Sequence, residues 1–255
     1  MQKEYKQAED NLFYAKVLDT AKNSIAHHKK TATDFMDRNK SNLYLEKVKL
    51  QFQAMAFGGN ADCERCMIAF APDDMELTEQ DFPIKALHIT KNKKFGQSNL
   101  THRDYLGAIL ALGIDRAKVG DIIVLEEKTI CYIHQDLAEY VQANLEYVSR
   151  TKVAISISDI FAVTLPEKVW NFRTLTVASL RLDAVAGGAF HLARAKVQQQ
   201  IKKELIQVNW NTIINPSFSV KEGDMISMRG FGRIKIFEIG SKTKKDRICI
   251  TIGRE

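Results

Sequence analysis

Residues 81–160 carry a regular succession of strand and helix patterns, and this succession limits the folds that are open to the chain. Ile84–Thr90 has the length and apolar content of a strand, and an amphipathic helix follows it, which we expect to be capped by Thr101 with Asp104 three residues further on. Two short strands, Asp121–Leu125 and Thr129–His134, precede a second helix, and Lys152–Ile157 alternates as a closing strand. The order β-α-β-β-α-β is the ferredoxin-like arrangement, which we therefore expect for a central domain over these residues.

RNA-recognition modules share this topology, but a fold alone does not establish a function. Their strands carry a K/R-G-F/Y-G/A-F pattern whose aromatic rings stack on bases. No strand predicted in this segment contains such a pattern. The central domain by itself therefore predicts a topology and no ligand.

The flanking segments predict two further small domains of mixed structure. Residues 1–80 combine two helical patterns, a Gly58-Gly59 turn and the apolar strand Cys66–Phe70, which indicates a small α/β domain. Residues 161–178 are expected to form a linker, and residues 179–255 read as two short helices followed by several strands. The expected fold class is thus α+β, with three domains.

Positive charge is concentrated in the last third of the chain. The net charge is +6, but residues 174–255 hold 14 Lys+Arg against 7 Asp+Glu, whereas residues 1–173 hold 23 against 24. Such a field attracts a polyanion. Nucleic acid is the first candidate, and an anionic membrane surface is the second.

Hydropathy and cysteine content exclude several classes of protein. No apolar run approaches the roughly 18 residues of a membrane span, and the polar N-terminus contains no apolar core of a signal peptide. Four cysteines are too few for a disulfide scaffold in a chain of this length. Binding to a membrane surface needs an amphipathic basic helix, and residues 192–203 are too short and too weakly apolar for one. We therefore expect a cytoplasmic protein that does not bind membranes and is a monomer.

Five separated elements in the basic segment occur in a recognisable order: Arg181-Leu182-Asp183, Ala193-Arg194, Val208-Asn209, Pro216 and Gly223-Asp224. This series resembles the S4 (αL) RNA-binding domain, which is expected over residues 179–255. The sequence departs from the usual pattern at three places. Ala193 stands for the usual serine, Trp210 follows Asn209 where glycine is usual, and Lys203-Glu204 precedes the strand in place of glycine.

Cationic side chains of this segment are the candidate RNA-binding residues. Arg194 and Lys202 are eight residues apart and so lie near one face of a helix whose core positions are Val197 and Ile201. Guanidinium groups bind phosphate in a bidentate fork, whereas lysine acts as a point charge. The candidates are Arg181, Arg194, Lys196, Lys202 and Lys203. The alternative is a solvated basic surface that has no partner.

A second signal is the run from Arg229 to Arg233, in which Phe231 lies between two glycines and two arginines. Glycine lets the backbone approach a phosphate closely, and an aromatic ring can stack on a base. We therefore add Arg229, Phe231 and Arg233 to the candidate RNA-binding residues. A turn or β-bulge with Phe231 in the core explains the same pattern equally well.

Motifs outside the basic segment extend the resemblance to nearly the full length. They are Thr33–Asp37, Gly58-Gly59, Cys63–Arg65, Thr101–Gly107, Gly113-Ile114 and Gly120–Ile122. Together with the Arg229–Arg233 run, they resemble stretches of the YlmH family of bacterial proteins, apart from the absence of the usual proline before Arg38. The resemblance implies work on the large ribosomal subunit, with ribosomal RNA and tRNA on stalled ribosome complexes as partners.

An RNA-modifying enzyme that uses the S4 domain as a targeting arm is the alternative function. Arg-Leu-Asp is also the catalytic triplet of pseudouridine synthases, but there a Thr-Ser-Gly type of context follows, and here Ala184–Gly187 follows. In the S4 interpretation Asp183 orients an arginine or caps a helix. Cys63 and Cys66 have the spacing of only half a zinc site, and no nucleotide-binding glycine motif is present. We therefore expect no catalysis, no cofactor and no metal.

Overall fold

The computed structural model describes residues 2–92, 99–243 and 245–254. The chain divides into two compact units, Met1–Thr164 and Leu165–Glu255, and each is described by itself. The mixture of helices with antiparallel sheets confirms the α+β class predicted from the sequence.

The first part of the N-terminal unit packs two helices on a small antiparallel sheet. Its strand β4 pairs with all three of the other strands, so β4 is the centre of this sheet. The buried side chains come from both the helices and β4, as in Val17, Tyr44, Ile68 and Phe70. The elements are α1 (Gln2–Ala26), β1 (Thr31–Ala32), β2 (Met36–Asp37), α2 (Arg38–Val48), β3 (Gln53–Phe57) and β4 (Arg65–Ala71).

The second part of this unit is a five-stranded antiparallel sheet in the order β6-β7-β5-β9-β8. Its elements are β5 (Ile84–Lys91), α3 (His102–Leu110), β6 (Val119–Val124), β7 (Lys128–His134), α4 (Gln135–Asn144), β8 (Tyr147–Val148) and β9 (Thr151–Ser158). Apart from the two-residue β8, this is the predicted β-α-β-β-α-β order. The predicted cap of α3 is present, since the Asp104 carboxylate accepts from both the backbone N–H and the hydroxyl of Thr101 at 2.7 Å.

A charged network joins the two sheets of the N-terminal unit. The half-buried Arg65 side chain donates from Nε to the Val119 carbonyl at 3.0 Å and pairs with Asp37 at 2.9 Å. The Asp121 carboxylate accepts the backbone N–H groups of Glu64 and Arg65 at 2.7 and 3.0 Å. Burial raises the pKa of Asp121, although these hydrogen bonds oppose the shift. The boundary predicted near residue 80 therefore separates two sheets but not two compact units.

Two glycines let these sheets approach each other closely. A Cβ atom at Gly59, whose φ is +100°, would lie 2.6 Å from the buried Tyr132 ring. A Cβ atom at Gly120 would lie 2.8 Å from the ring of Phe35, which is also buried. The motifs on which the resemblance to the YlmH family rests thus include residues that pack the two sheets together.

Gly59→Ala should lower the free energy of unfolding by about 2 kcal/mol, because alanine disfavours this φ and its methyl group would overlap a buried ring. Thermal unfolding followed by far-UV circular dichroism measures the effect. Gly107→Ala is the matched control, since Gly107 lies inside α3 and a Cβ atom there would meet nothing within 4 Å, so alanine should stabilise the helix. Equal melting temperatures for the two variants would contradict the packing role of Gly59.

The C-terminal unit is one six-stranded antiparallel sheet in the order β10-β15-β14-β13-β11-β12, with two helices. Its elements are β10 (Asn171–Val177), α5 (Leu182–Phe190), α6 (Arg194–Lys202), β11 (Ile206–Val208), β12 (Asn211–Thr212), β13 (Met225–Met228), β14 (Gly232–Lys242) and β15 (Ile248–Arg254). The core lies between the sheet and the helices and includes Leu182, Val197, Ile201 and Ile236.

The prediction of a linker over residues 161–178 was wrong for its second half. Asn171–Val177 is strand β10, which pairs along its whole length with β15. Leu175 and Val177 pack towards α5, since a Cβ atom built on Gly188 of that helix would lie 3.0 Å from Leu175 and 3.8 Å from Val177. The strand forms because these alternating apolar side chains complete the core of the C-terminal unit.

Two of the departures from the S4 pattern occupy backbone conformations that glycine favours. Glu204 has a φ of +59°, and it ends α6 with a hydrogen bond from its N–H to Ile201 and one from the Leu205 N–H to Gln200. Asn209 and Trp210, with φ values of +49° and +64°, form the two-residue turn between β11 and β12. These three residues adopt a positive φ without being glycine, at a cost of about 1–2 kcal/mol for each left-handed residue.

Candidate nucleic-acid interface

Asp183 lies in the first turn of α5 and is completely buried. The backbone fixes its position, because the N–H groups of Leu182 and Asp183 donate to the carbonyls of Phe218 and Pro216 at 2.8 and 3.2 Å. The Pro216 segment of the sequence pattern therefore holds the start of the helix that carries Asp183.

Three side chains converge on the Asp183 carboxylate. Arg181 donates from Nε and Nη2 to its two oxygens at 3.2 Å each. Arg194, at the start of α6, donates from Nε at 2.9 Å and from Nη2 at 3.1 Å. Gln198, one helical turn further on, adds a hydrogen bond of 2.8 Å. We call Asp183, Arg181, Arg194 and Gln198 the arginine cluster.

The electrostatics of this cluster favour a fixed charged state. Burial alone would raise the pKa of Asp183, but the hydrogen bonds from Arg181, Arg194 and Gln198 outweigh it and hold the pKa well below its usual range. The same pairing raises the pKa of Arg194. One carboxylate thus faces two guanidinium groups, and the cluster retains a net positive charge.

Both arginines keep a solvent-facing side. The side chains of Arg181 and Arg194 are 39% and 53% exposed, although each is paired with Asp183. Because Arg194 pairs with a buried carboxylate, a substitution there should lower the melting temperature as well as change the surface charge. Bidentate contacts hold the two guanidinium groups in one orientation, which suits them to bind a phosphate.

The predicted lysines lie on the same helix but outside the cluster. Lys196, Lys202 and Lys203 are exposed, and none forms an ion pair with another residue in the described ranges. Val197 and Ile201 are buried, as their spacing predicted. The lysines therefore add mobile point charges around α6, whereas the arginines are held in place.

The Arg229–Arg233 run forms the turn between β13 and β14, and Gly230 and Gly232 supply its positive φ angles. Phe231 is partly buried against the core, with its ring 6.4 Å from that of Phe190. This position agrees with the turn interpretation, in which the ring packs on the core. Arg229 is exposed, and Arg233 and Phe231 are half-buried.

Sequence reasoning missed two polar contributions to this unit. Gln198 follows Arg194 by four residues, and this helical spacing was the available signal that both could reach Asp183. The Asn209 side chain donates to Asp224 at 2.8 Å and accepts from the Met225 N–H at 2.9 Å. The Val-Asn and Gly-Asp elements of the pattern therefore meet, where they fix the β11–β12 turn.

The cysteine pair of the N-terminal unit, considered above as half a zinc site, lies in the interior of the protein. Cys63 and Cys66 are buried with their Sγ atoms 3.1 Å apart, and this contact together with burial raises the pKa of the Cys63 thiol. Among the described residues, no group of three or more His, Cys, Asp or Glu side chains is arranged to hold a metal ion. No helix in the described part of the chain combines the length and hydropathy needed to cross a membrane.

Comparison with known proteins first gives the class of the chain. Residues 78–161 match the family described as "Putative RNA-binding domain in YlmH". They contain the five-stranded sheet of the N-terminal unit, which we call the central sheet. The chain is therefore in the class of proteins that carry this RNA-binding domain.

Two relatives then give the family. The chain is 34% identical over 224 residues to the ribosome-associated protein quality control protein P2 of Bacillus subtilis (strain 168), covering 88% of this chain and 86% of that protein. It is also similar to the structure of the cell division protein YlmH from Streptococcus pneumoniae, with 26% identity and a TM-score of 0.51 over 60% of this chain and 93% of that one. The chain belongs to the YlmH family.

Proposed function

We propose that this protein binds structured RNA on the ribosome in the cytoplasm and acts there without catalysis. Its partners are ribosomal RNA and tRNA on the large subunit, and its setting is the stalled ribosome complex. The C-terminal unit acts as an S4 domain and supplies the main phosphate contacts. The central sheet adds a second RNA contact, in line with the family that residues 78–161 match.

The arginine cluster is the observation that carries this proposal. Its two guanidinium groups are oriented by a carboxylate that is itself completely buried, and they remain about half exposed. Exposed lysines lie on the same helix as Arg194, and the unit Leu165–Glu255 holds 16 Lys+Arg against 8 Asp+Glu. A fixed pair of cations in a basic surface favours a polyanionic backbone, and phosphate contacts position a protein on folded RNA.

The similarity to a ribosome-associated protein quality control protein supports the ribosome as the place of action. The match covers most of both chains, so the whole architecture rather than one module is shared. The quality-control role in the name of that relative is in line with the proposed setting.

The structure of the cluster disfavours the enzymatic alternative. A nucleophilic Asp183 would need access to a base, but its carboxylate is completely buried and accepts from three side chains. Incubating RNA with the protein and measuring pseudouridine separates the two functions. A binder leaves the RNA unchanged, and any new pseudouridine would favour the enzyme.

The salt dependence of RNA binding tests the proposal directly. If Arg181, Arg194, Lys196, Lys202 and Lys203 meet five phosphates, the logarithm of the affinity should fall with the logarithm of the salt concentration at a slope near −3.5, taking roughly 0.7 per contact. Fluorescence anisotropy with a labelled RNA hairpin measures the slope. A slope near zero would exclude the mechanism, and absence of co-sedimentation with ribosomes would exclude the proposed place of action.

A further inference from the structure

Three aromatic side chains form a cluster on the sheet of the C-terminal unit, away from the arginine cluster. The Phe237 ring lies between the other two, with its centroid 5.4 Å from that of Trp170 and 4.8 Å from that of Phe172, both edge to face. Phe172 is 63% exposed and Phe237 36%. We call Trp170, Phe172 and Phe237 the aromatic platform.

The strand β15 brings these rings together at Gly253. Gly253 of β15 is the register partner of both Phe172 on β10 and Lys235 on β14. A Cβ atom at Gly253 would lie 2.6 Å from the Phe237 ring and 3.0 Å from Trp170. Any larger residue here would displace the rings, so the absence of a side chain at Gly253 lets them lie on the strand.

The platform lies on the sheet face opposite α5. Leu175 and Val177 of β10 face that helix, and side chains alternate along a strand, so Phe172 points to the other side. Thr174 and Thr176, which share this second face, are exposed. The rings of Phe172 and Phe237 are therefore presented to solvent, and Trp170 beside them is half-buried.

The charge around the platform favours one kind of occupant. Lys235 places its Nζ 5.4 Å from the Phe237 ring centroid, which adds a cation to the aromatic surface. The unit as a whole carries twice as many basic as acidic residues. Aromatic rings beside cations are the surface on which single-stranded nucleic acids stack their bases, whereas duplex bases are already stacked on each other.

We propose that the aromatic platform binds unpaired nucleotides of RNA by base stacking, as a second contact of the C-terminal unit. The proposal rests on the proposed RNA-binding function and adds to it a preference for single-stranded segments next to structured RNA. The arginine cluster holds phosphates, and the platform holds unstacked bases.

The test compares a single-stranded RNA of about 12 nucleotides with a duplex of the same sequence by fluorescence anisotropy on the full chain. Phe172→Ala and Phe172→Leu should each weaken binding of the single strand about fivefold or more, because both remove the stacking ring. Phe172→Tyr should bind as the unchanged protein does. Duplex affinity and the salt slope should stay unchanged in all three variants, since no charge is altered.

Val169→Ala is the matched control, because Val169 is 84% exposed and lies close in sequence to the platform without belonging to it. Its affinity for both RNAs should equal that of the unchanged protein.

Unchanged affinity of Phe172→Ala and Phe172→Leu for the single strand would overturn the proposed role of the platform. Loss with alanine but not with leucine would also overturn it, since an apolar protein partner would then fit better. If the unchanged protein binds neither RNA, the proposed function itself fails. If it binds with the expected salt slope while the Phe172 variants show no effect, only the platform is wrong.

Discussion

Asp183→Asn should lower the free energy of unfolding of the C-terminal unit by about 3 kcal/mol at pH 7. Removing one partner from a buried ion pair commonly costs about 3–5 kcal/mol, and the exposed sides of the two arginines place this case at the lower end. The asparagine amide would also direct N–H groups at the donors of Arg181 and Arg194. Since both tryptophans, Trp170 and Trp210, lie in this unit, urea denaturation followed by tryptophan fluorescence reports its unfolding.

Asp246→Asn is the control for this prediction. Asp246 belongs to the same unit and pairs with Lys242, but its side chain is 81% exposed, so its loss should change stability little. Equal stabilities for the two variants would show that the buried carboxylate of Asp183 does not hold the cluster together.

Asp183→Asn should also remove a dependence of the folding stability on pH. The folded-state pKa of Asp183 lies below the value of about 3.9 expected for the unfolded chain. Its stabilising contribution is therefore fully present above that value and is lost as the pH falls through the lower, folded-state pKa. The stability difference between the unchanged protein and Asp183→Asn should be constant above about pH 5 and shrink at more acidic pH.

Arg194→Glu should lower the affinity for structured RNA about tenfold or more and reduce the magnitude of the salt slope by about one. The substitution removes a fixed guanidinium group and places a carboxylate beside Asp183. The melting temperature should fall as well, because the 2.9 Å ion pair is lost. Anisotropy with an RNA hairpin and co-sedimentation with ribosomes measure the binding.

Arg194→Lys separates the two effects of this position. Lysine keeps the positive charge but cannot form the bidentate contact with Asp183, so the charged group at this position loses its fixed orientation. The affinity for RNA should therefore fall, but less than it does with glutamate. Lys49→Glu, on an exposed position at the end of α2, is the control for charge reversal elsewhere. RNA affinity unaffected by Arg194→Glu would remove the arginine cluster from the interface.

The predicted site could be read from the sequence only in part. The spaced pattern contains Arg181, Asp183 and Arg194, whose side chains pair in the structure. The role of Asp183 in orienting an arginine fits the observed contacts. How far the Phe231 side chain is buried depends on its packing with Phe190, and no spacing in the sequence indicates that contact.

The aromatic platform shows why a strand can be missed. Residues 161–178 were predicted to form a linker, yet Phe172, Thr174 and Thr176 alternate with Leu175 and Val177 in a pattern of period two. A single seven-residue alternation is weak evidence until a partner strand is known. Pairing with β15, which lies at the far end of the chain, decides it.

Local pattern by itself determined the α+β class, the β-α-β-β-α-β order, the cap of α3 and the basic character of the last third. These features depend on near neighbours in the chain and on composition, which the sequence states directly. Tertiary structure alone decided that Gly59 and Gly120 bring two sheets into one unit, that Gln198 completes the arginine cluster, and that three aromatic rings meet above Gly253. Each of these contacts depends on a close approach between distant segments, and that approach exists only after the chain has folded.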